Sequence, residues 1–360
     1  MVGIPTATVI SAENNKMPAS NLRPRDEAIG VMRSMGLPRG LAEQIMKSTL
    51  TFAVRYWIVD NSGSMSASDG HRIVRGPGGR EGMVTCSRWE ELGCAIKWHA
   101  RLAVELGAYT EFRLLNAPGV GPRRVTVGTT VGSYDAASAE ELAHIDGLVA
   151  TTPTGRTPLC EHIRAVTAEI DARKEFLNAT GQRACVIIAS DGEATDGDLA
   201  RALAPLHSLP AWVVVRLCTD DERVVEYWNS IDEELELDLE VLDDLSGEAA
   251  EVHSHSPYLA YAAPLHRLRE FGTLYKLVDV LDERPLEKHE LLDLVALILG
   301  DDVREHLPHP QIDWRAFLQG LDKLQADVPT VWDPIRHRRR PWFNIRALNR
   351  AFGDGLCVLM

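Results

Sequence analysis

Ala184-Cys185-Val186-Ile187-Ile188-Ala189-Ser190 is a continuous apolar run, closed by Asp191-Gly192. Side chains alternate between the two faces of a strand, so a run that is apolar at every position is covered on both sides, the habit of parallel sheets. Two more runs share this character: Phe52-Ala-Val-Arg-Tyr-Trp-Ile-Val59 and Ala211-Trp-Val-Val-Val-Arg-Leu217. Shorter strands are expected at Glu111 to Leu115, Arg124 to Val127 and Leu237 to Leu242. Between them, Leu92, Ile96, His99, Ala103 and Leu106 recur at helical spacing, as do Leu159, Ile163, Val166 and Ile170. Strands alternating with helices predict an α/β fold with a doubly wound, mostly parallel sheet and helices on both faces.

Outside this block the pattern changes. Residues 1–24 are polar and patternless and read as a flexible arm. Residues 25–50 hold two short helical patterns, with Gly36 stopping the first and Pro38 opening the second, a helical hairpin. From residue 253 to 360 the strand signal ends. Leu291, Leu292, Val295 and Ile298 form one amphipathic stripe, and Trp314, Phe317, Leu318, Leu321 and Leu324 form another, so a helical carboxyl-terminal region is expected.

The 360 residues carry 52 acidic and 38 basic side chains, a formal charge of −14. An acidic chain lacks the basic footprint of a dedicated nucleic-acid binder, and no nucleic acid is expected as partner. Hydrophobic residues make up 45% of the chain, enough for a sizeable core. The six cysteines form no C-x-x-C pair and no zinc spacing; all but Cys357 read as reduced, buried thiols. The amino terminus lacks the basic and apolar regions of a secretory signal. The richest apolar stretch, Leu291 to Leu299, falls far short of the ~20 residues that cross a bilayer. A cytoplasmic location is expected.

The chemistry gathers where the strands end. Asp60-Asn61-Ser62-Gly63-Ser64 follows the first strand, Thr154-Gly-Arg-Thr157-Pro leads into a helix, and Asp191-Gly192 follows the most apolar strand. In open parallel sheets these are loops of the carboxyl edge, where ligands bind. Two carboxylates and three hydroxyls are hard oxygen donors, suited to Mg²⁺ and unsuited to zinc or copper.

Asp60-x-Ser62-x-Ser64, then Thr157, then Asp191-Gly192 resembles the metal-ion-dependent adhesion site of von Willebrand factor type A domains. The resemblance covers roughly residues 52 to 250 and assigns the α/β domain to 51–252. It implies that Ser62, Ser64 and Thr157 ligate Mg²⁺, with Mn²⁺ or Ca²⁺ as alternatives, directly or through water. Asp60 and Asp191 then hold waters and hydroxyls around the ion or bind it in one state. It also implies a binding module, an adaptor or assembly factor whose open metal position captures an acidic side chain of a protein partner. The chain departs from the pattern in a Gly-rich insertion between Met65 and Cys86 and in Arg156, which stands where relatives often carry small residues. Asp69 and His71, inside that insertion, read as solvated loop residues.

An enzyme is the rival reading, a metal-assisted phosphoryl transferase or hydrolase. Catalytic templates speak against it: the chain has no G-x-x-x-x-G-K-[S/T] loop and no G-x-S-x-G elbow, and the turn offers serines where a nucleophilic carboxylate pair is wanted. At the carboxyl end, Cys357-Val358-Leu359-Met360 matches the C-a-a-X prenylation pattern, and Arg336-His-Arg-Arg-Arg340 supplies a basic cluster nearby. Together they raise membrane association through a lipid on Cys357 as an alternative to a purely soluble state.

Overall fold

A computed structural model describes residues 22–76, 81–129, 136–219, 221–235 and 239–353. The expected arm (apart from residues 22–24), Leu237 and the Cys357 motif lie outside these residues. The chain enters through two helices, α1 (Arg25–Ser34) and α2 (Arg39–Thr51), and α2 runs directly into β1 (Phe52–Val59). A hairpin of β2 (Gly70–Arg75) and β3 (Glu81–Cys86) follows, then α3 (Arg88–Leu106), β4 (Thr110–Leu114), β5 (Arg124–Val127) and α4 (Ala136–Val149). Next come α5 (Leu159–Asp171), α6 (Lys174–Thr180), β6 (Arg183–Ser190), α7 (Leu199–Leu203), β7 (Ala211–Leu217), α8 (Glu222–Leu235) and β8 (Leu239–Leu242). The remainder is α9 (Leu245–His255), α10 (Ala263–Glu270), α11 (Leu277–Glu283), α12 (Leu291–Leu299), α13 (Val303–His306) and α14 (Trp314–Ala326). A small hairpin of β9 (Val331–Asp333) and β10 (Arg338–Arg340) and a last helix, α15 (Ile345–Phe352), close the described chain.

All six strands expected from the sequence join one sheet in the order β5-β4-β1-β6-β7-β8. The pairs from β4 to β8 are parallel and only β5 runs antiparallel, at one edge. From β1 the chain winds outward to β4 and β5, then returns to the other side of β1 and winds outward through β6, β7 and β8. The winding reverses between β1 and β6. Loops leaving the carboxyl ends of these two strands part in opposite directions, which opens a crevice there.

Alternation along β1 divides the core. Val54, Tyr56 and Ile58 pack with Val186, Ile188, Val213 and Val215 and the apolar sides of α5, α7 and α8. Trp57 and Val59 face the opposite way, with Ile187 and Val214, into a larger core filled by α2, α3, α10 and α12. Helices therefore cover both faces. The carboxyl-terminal helices share this second core, and Gly40 shows how closely: a Cβ built there would lie 2.4 Å from the Leu297 carbonyl oxygen on α12. Arg55, inside β1, is buried by donating to the Phe271 carbonyl at 3.0 Å and the Ser48 hydroxyl at 2.8 Å, with its guanidinium 3.6 Å from the centre of the Phe271 ring. Burial lowers its pKa to about 10.

Two expectations need correction. The carboxyl-terminal region is not wholly helical: the basic cluster around Arg338 to Arg340 forms β10, paired with β9. Each strand has three residues, too few for an alternating pattern to register. Cys94 is exposed, unlike Cys86, Cys160, Cys185 and Cys218, because it sits on the solvent side of α3 while Leu92, Ala95 and Ile96 turn inward. No helix among the described residues is long and apolar enough to cross a membrane.

Candidate metal centre

The crevice between β1 and β6 is where Asp60 and Asp191 emerge. Asp60 continues β1 by one residue, its N–H donating to the Ala189 carbonyl at 2.9 Å, and its side chain is fully buried. The Ser190 hydroxyl donates to Asp60 Oδ2 at 2.6 Å, and the Ser62 N–H donates to Asp60 Oδ1 at 2.8 Å. Burial raises the pKa of Asp60. The bonds from Ser190 and Ser62 oppose that rise, and the neighbouring Asp191 charge adds to it.

Above Asp60 the turn climbs to the surface. The hydroxyls of Ser62 and Ser64 lie 2.9 Å apart, and the Ser64 hydroxyl donates to Asp191 Oδ1 at 2.8 Å. A chain of oxygens thus runs from the buried turn to the next strand's carboxylate. Ser62 is buried, whereas Gly63 and Ser64 are exposed.

The third loop is tied to the first by its backbone. Thr154 N–H donates to the Asn61 carbonyl at 2.7 Å, and Gly63 N–H donates to the Gly155 carbonyl at 3.2 Å. Asn61 fixes a further neighbour: its Oδ1 accepts from Asn116 N–H at 2.8 Å and its Nδ2 donates to the Asn116 carbonyl at 3.1 Å. Asn116 Nδ2 in turn donates to the Arg156 carbonyl at 2.7 Å. Gly155 holds φ +91°, and a Cβ there would approach Asn116 Oδ1 to 2.6 Å, so both conformation and space ask for glycine. Thr157 is buried; its N–H donates to Thr195 Oγ1 at 3.2 Å, and its carbonyl accepts from Thr195 N–H at 2.9 Å. Thr195 therefore links the Thr157 loop to the one that follows Asp191.

The structure thus joins Asp60, Ser62, Ser64 and Asp191 through side-chain hydrogen bonds, and binds the Thr157 loop to the same edge through backbone ones. Among the residues weighed beside them, Asp69 is committed to Arg88, which donates to its two oxygens at 2.7 and 2.5 Å. This pairing holds the Asp69 carboxyl below its ordinary range. His71 lies on β2, its N–H donating to Glu91 Oε2 at 2.8 Å. Arg156 is exposed at the rim. Most of the Gly-rich insertion is the β2–β3 hairpin; residues 77–80 are outside the described residues.

Three participants carry no sequence signal of their role. Arg88, the first residue of α3, donates from Nη1 to Asp191 Oδ2 at 2.8 Å, so Asp191 is held by Ser64 on one oxygen and by a guanidinium on the other. Ser190 precedes Asp191 and was visible in the run, but nothing local showed that its hydroxyl turns toward Asp60. Asp196 is a third: it accepts from the N–H groups of Cys160 and Glu161 at 3.1 and 2.8 Å and fixes the first turn of α5 behind Thr157. The side chains that the structure joins, Asp60, Ser62, Ser64 and Asp191, offer two carboxylates and two hydroxyls, hard oxygen donors of the kind that suits Mg²⁺. No protein-family model matches this chain, and no curated protein matches it.

Proposed function

We propose that the chain is a divalent-metal-dependent protein-binding module of the von Willebrand factor A type, in which Ser62, Ser64 and Thr157 hold Mg²⁺ above Asp60 and Asp191. The observation that carries this reading is the hydroxyl chain from Ser62 through Ser64 to Asp191 Oδ1, standing over the buried Asp60. The sheet order supports it, because the reversal between β1 and β6 puts both carboxylates at one crevice. Exposure supports it too: Ser64, Thr154, Gly155 and Arg156 form a solvent-facing rim through which a partner can approach.

When bound, Mg²⁺ would supply an unquenched positive charge at that rim, since hydroxyl ligands neutralise little of it. The residues of the chain orient the donors. Ser190 and the Ser62 N–H fix Asp60, Arg88 and Ser64 fix Asp191, and the paired asparagines hold the loop beneath Thr157. An acidic side chain from another protein is the complementary ligand, reinforced by the nearby Arg156 charge.

Calorimetric titration of Mg²⁺ tests the reading. Thr157→Ala and Ser64→Ala each remove one hydroxyl and are expected to weaken binding at least tenfold, with the melting temperature in chelator unchanged within a few degrees. Capture of host proteins by the immobilised chain, run in Mg²⁺ and in chelator, is expected to enrich a partner only with metal. Unaltered Mg²⁺ affinity in both variants would reject the site.

A further inference from the structure

A second carboxylate cluster lies at the β8 edge of the sheet, away from the crevice. A cavity of about 500 Å³ opens there, lined by Glu240 of β8, Glu248 and Glu251 of α9, Asp279 and Asp282 of α11, and Trp212 of β7. One oxygen each from Glu248, Glu251 and Asp282 falls within 4.8 Å of the other two. Glu248 and Glu251 stand three apart on α9 and so share a face.

The cation at its base is Arg269. Its guanidinium donates to Glu240 Oε1 at 2.8 Å, Glu248 Oε2 at 2.5 Å and Asp282 Oδ2 at 2.8 Å, with all four side chains largely buried. With Asp243 and Glu283, seven carboxyl groups line the cavity that this one guanidinium serves. Its reach ends at one oxygen of each of the three acids it touches. Glu240 Oε2 and Asp282 Oδ1, together with Asp279 Oδ1, are buried and have no hydrogen-bond partner among the described residues. Glu240 is the decisive member, more than nine-tenths buried with its second oxygen unanswered. A buried acceptor left unmatched is costly, more so where it carries charge, and three of them in one cavity suit a cationic occupant.

We infer that this cavity is a Ca²⁺ site, distinct from the Asp60 centre, with Glu248, Glu251 and Asp282 as its protein ligands and Glu240 and Asp279 supporting them. Ca²⁺ accepts six to eight oxygens at ~2.3–2.6 Å in irregular arrangements and suits a carboxylate-rich site, whereas Mg²⁺ prefers few carboxylates and a strict octahedron. Arg269 holds one oxygen each of Glu240, Glu248 and Asp282; the other Glu248 oxygen accepts from the Asp243 N–H at 3.1 Å, while Asp282 Oδ1 and Glu240 Oε2 have no donor among the described residues. Burial raises the carboxyl pKa of Glu240 to about 7, of Glu248 to about 8 and of Asp279 to about 6; the neighbouring acids add to the rise and Arg269 opposes it. His255, which also lines the cavity, is the remaining titratable group facing Glu251 from α9.

The test uses the full chain carrying Thr157→Ala, so that metal binding at the other centre is weakened. Tb³⁺, a Ca²⁺ surrogate, is titrated while its luminescence is excited through tryptophan. Trp212 lines the cavity, so Trp212→Phe is expected to remove most of the sensitised emission while calorimetry still finds Ca²⁺ bound. Glu251→Gln, at an exposed position that the fold does not depend on, is expected to weaken Ca²⁺ at least tenfold; Asp282→Asn should weaken it at least as much. Calorimetry showing no Ca²⁺ binding to the Thr157→Ala chain at millimolar ion overturns the inference. So does an affinity unchanged by Glu251→Gln.

Discussion

Asp60 has no water-facing edge, and two donors stand in for solvent: the Ser190 hydroxyl on one oxygen and the Ser62 N–H on the other. Removing the hydroxyl leaves a buried carboxylate oxygen without its bond. Ser190→Ala is therefore expected to destabilise the chain by about 1–3 kcal/mol in urea denaturation, although serine and alanine differ by a single atom. A change below about 0.5 kcal/mol would mean that Ser190 is a bystander. Single residues were unevenly legible in the sequence, and this pair shows why. Asp60, Ser62, Ser64 and Asp191 could be picked out because each follows an apolar run, so its place at a sheet edge comes with the run. Ser190 is inside such a run, where a small polar residue reads as a strand's last position. Arg88 opens a helix more than twenty residues after the turn it serves, and only the folded path brings its guanidinium to Asp191. The members of the second acidic cluster are similarly scattered over β8, α9 and α11, each an ordinary acid in its own element.

Elements repeat the lesson with different physics. The inner strands announced themselves because a parallel sheet covered on both faces needs apolar runs: three such runs give β1, β6 and β7, while β4, β5 and β8 show only as shorter, mixed segments. Helix α3 is equally explicit: Ser87 and Glu90 form a reciprocal capping box, and Gly107 closes the other end at φ 69°. What an amphipathic stripe cannot say is which surface it meets. Leu291, Leu292, Val295 and Ile298 predict that α12 buries one side; in the fold every residue of α12 but Asp293 is buried, and one surface it meets is α2, from the opposite end of the chain. Gly40 makes the contact, with the carbonyls of Leu297 and Ala296 at 2.4 and 2.5 Å from where a Cβ would stand. Backbone atoms on both sides leave no flexible side chain to give way. Gly40→Ala is expected to push the helices apart and cost about 1–3 kcal/mol, despite alanine's better helix propensity. Thermal unfolding gives the sign directly, and a stabilised variant would show that α12 is not seated on α2 as described.

Across the whole molecule, burial of charge sets how stability depends on pH, and the buried histidines and the buried acids pull in opposite directions. His99, packed between Trp57 and Phe271 and bonded to Glu270 at 2.9 Å, has its pKa lowered by burial to about 4. An unfolded histidine titrates near ~6.5, so as pH falls from there the unfolded chain takes up the proton first and stability is lost down to about pH 4. His266 and His162 are lowered in the same sense, again by burial first. Glu240 and Glu248 act in reverse, their pKa values raised by burial to about 7 and about 8. Between the unfolded value near 4.5 and these, the folded chain keeps protons that the unfolded chain has released, so rising pH favours unfolding until both have ionised. Below pH 6.5 the two effects oppose each other; above it the histidines are neutral in both states and only the acids still act. Melting temperature in chelator is thus expected to fall by several degrees between pH 6.5 and 8.5, and Glu248→Gln should flatten that fall because an amide has no proton to lose. Added Ca²⁺ should abolish the fall in the unaltered chain, since the ion takes over the neutralising role of the protons. A profile flat over this window in chelator would mean that Arg269 alone satisfies the cluster and that its carboxyl groups are already ionised at pH 6.5.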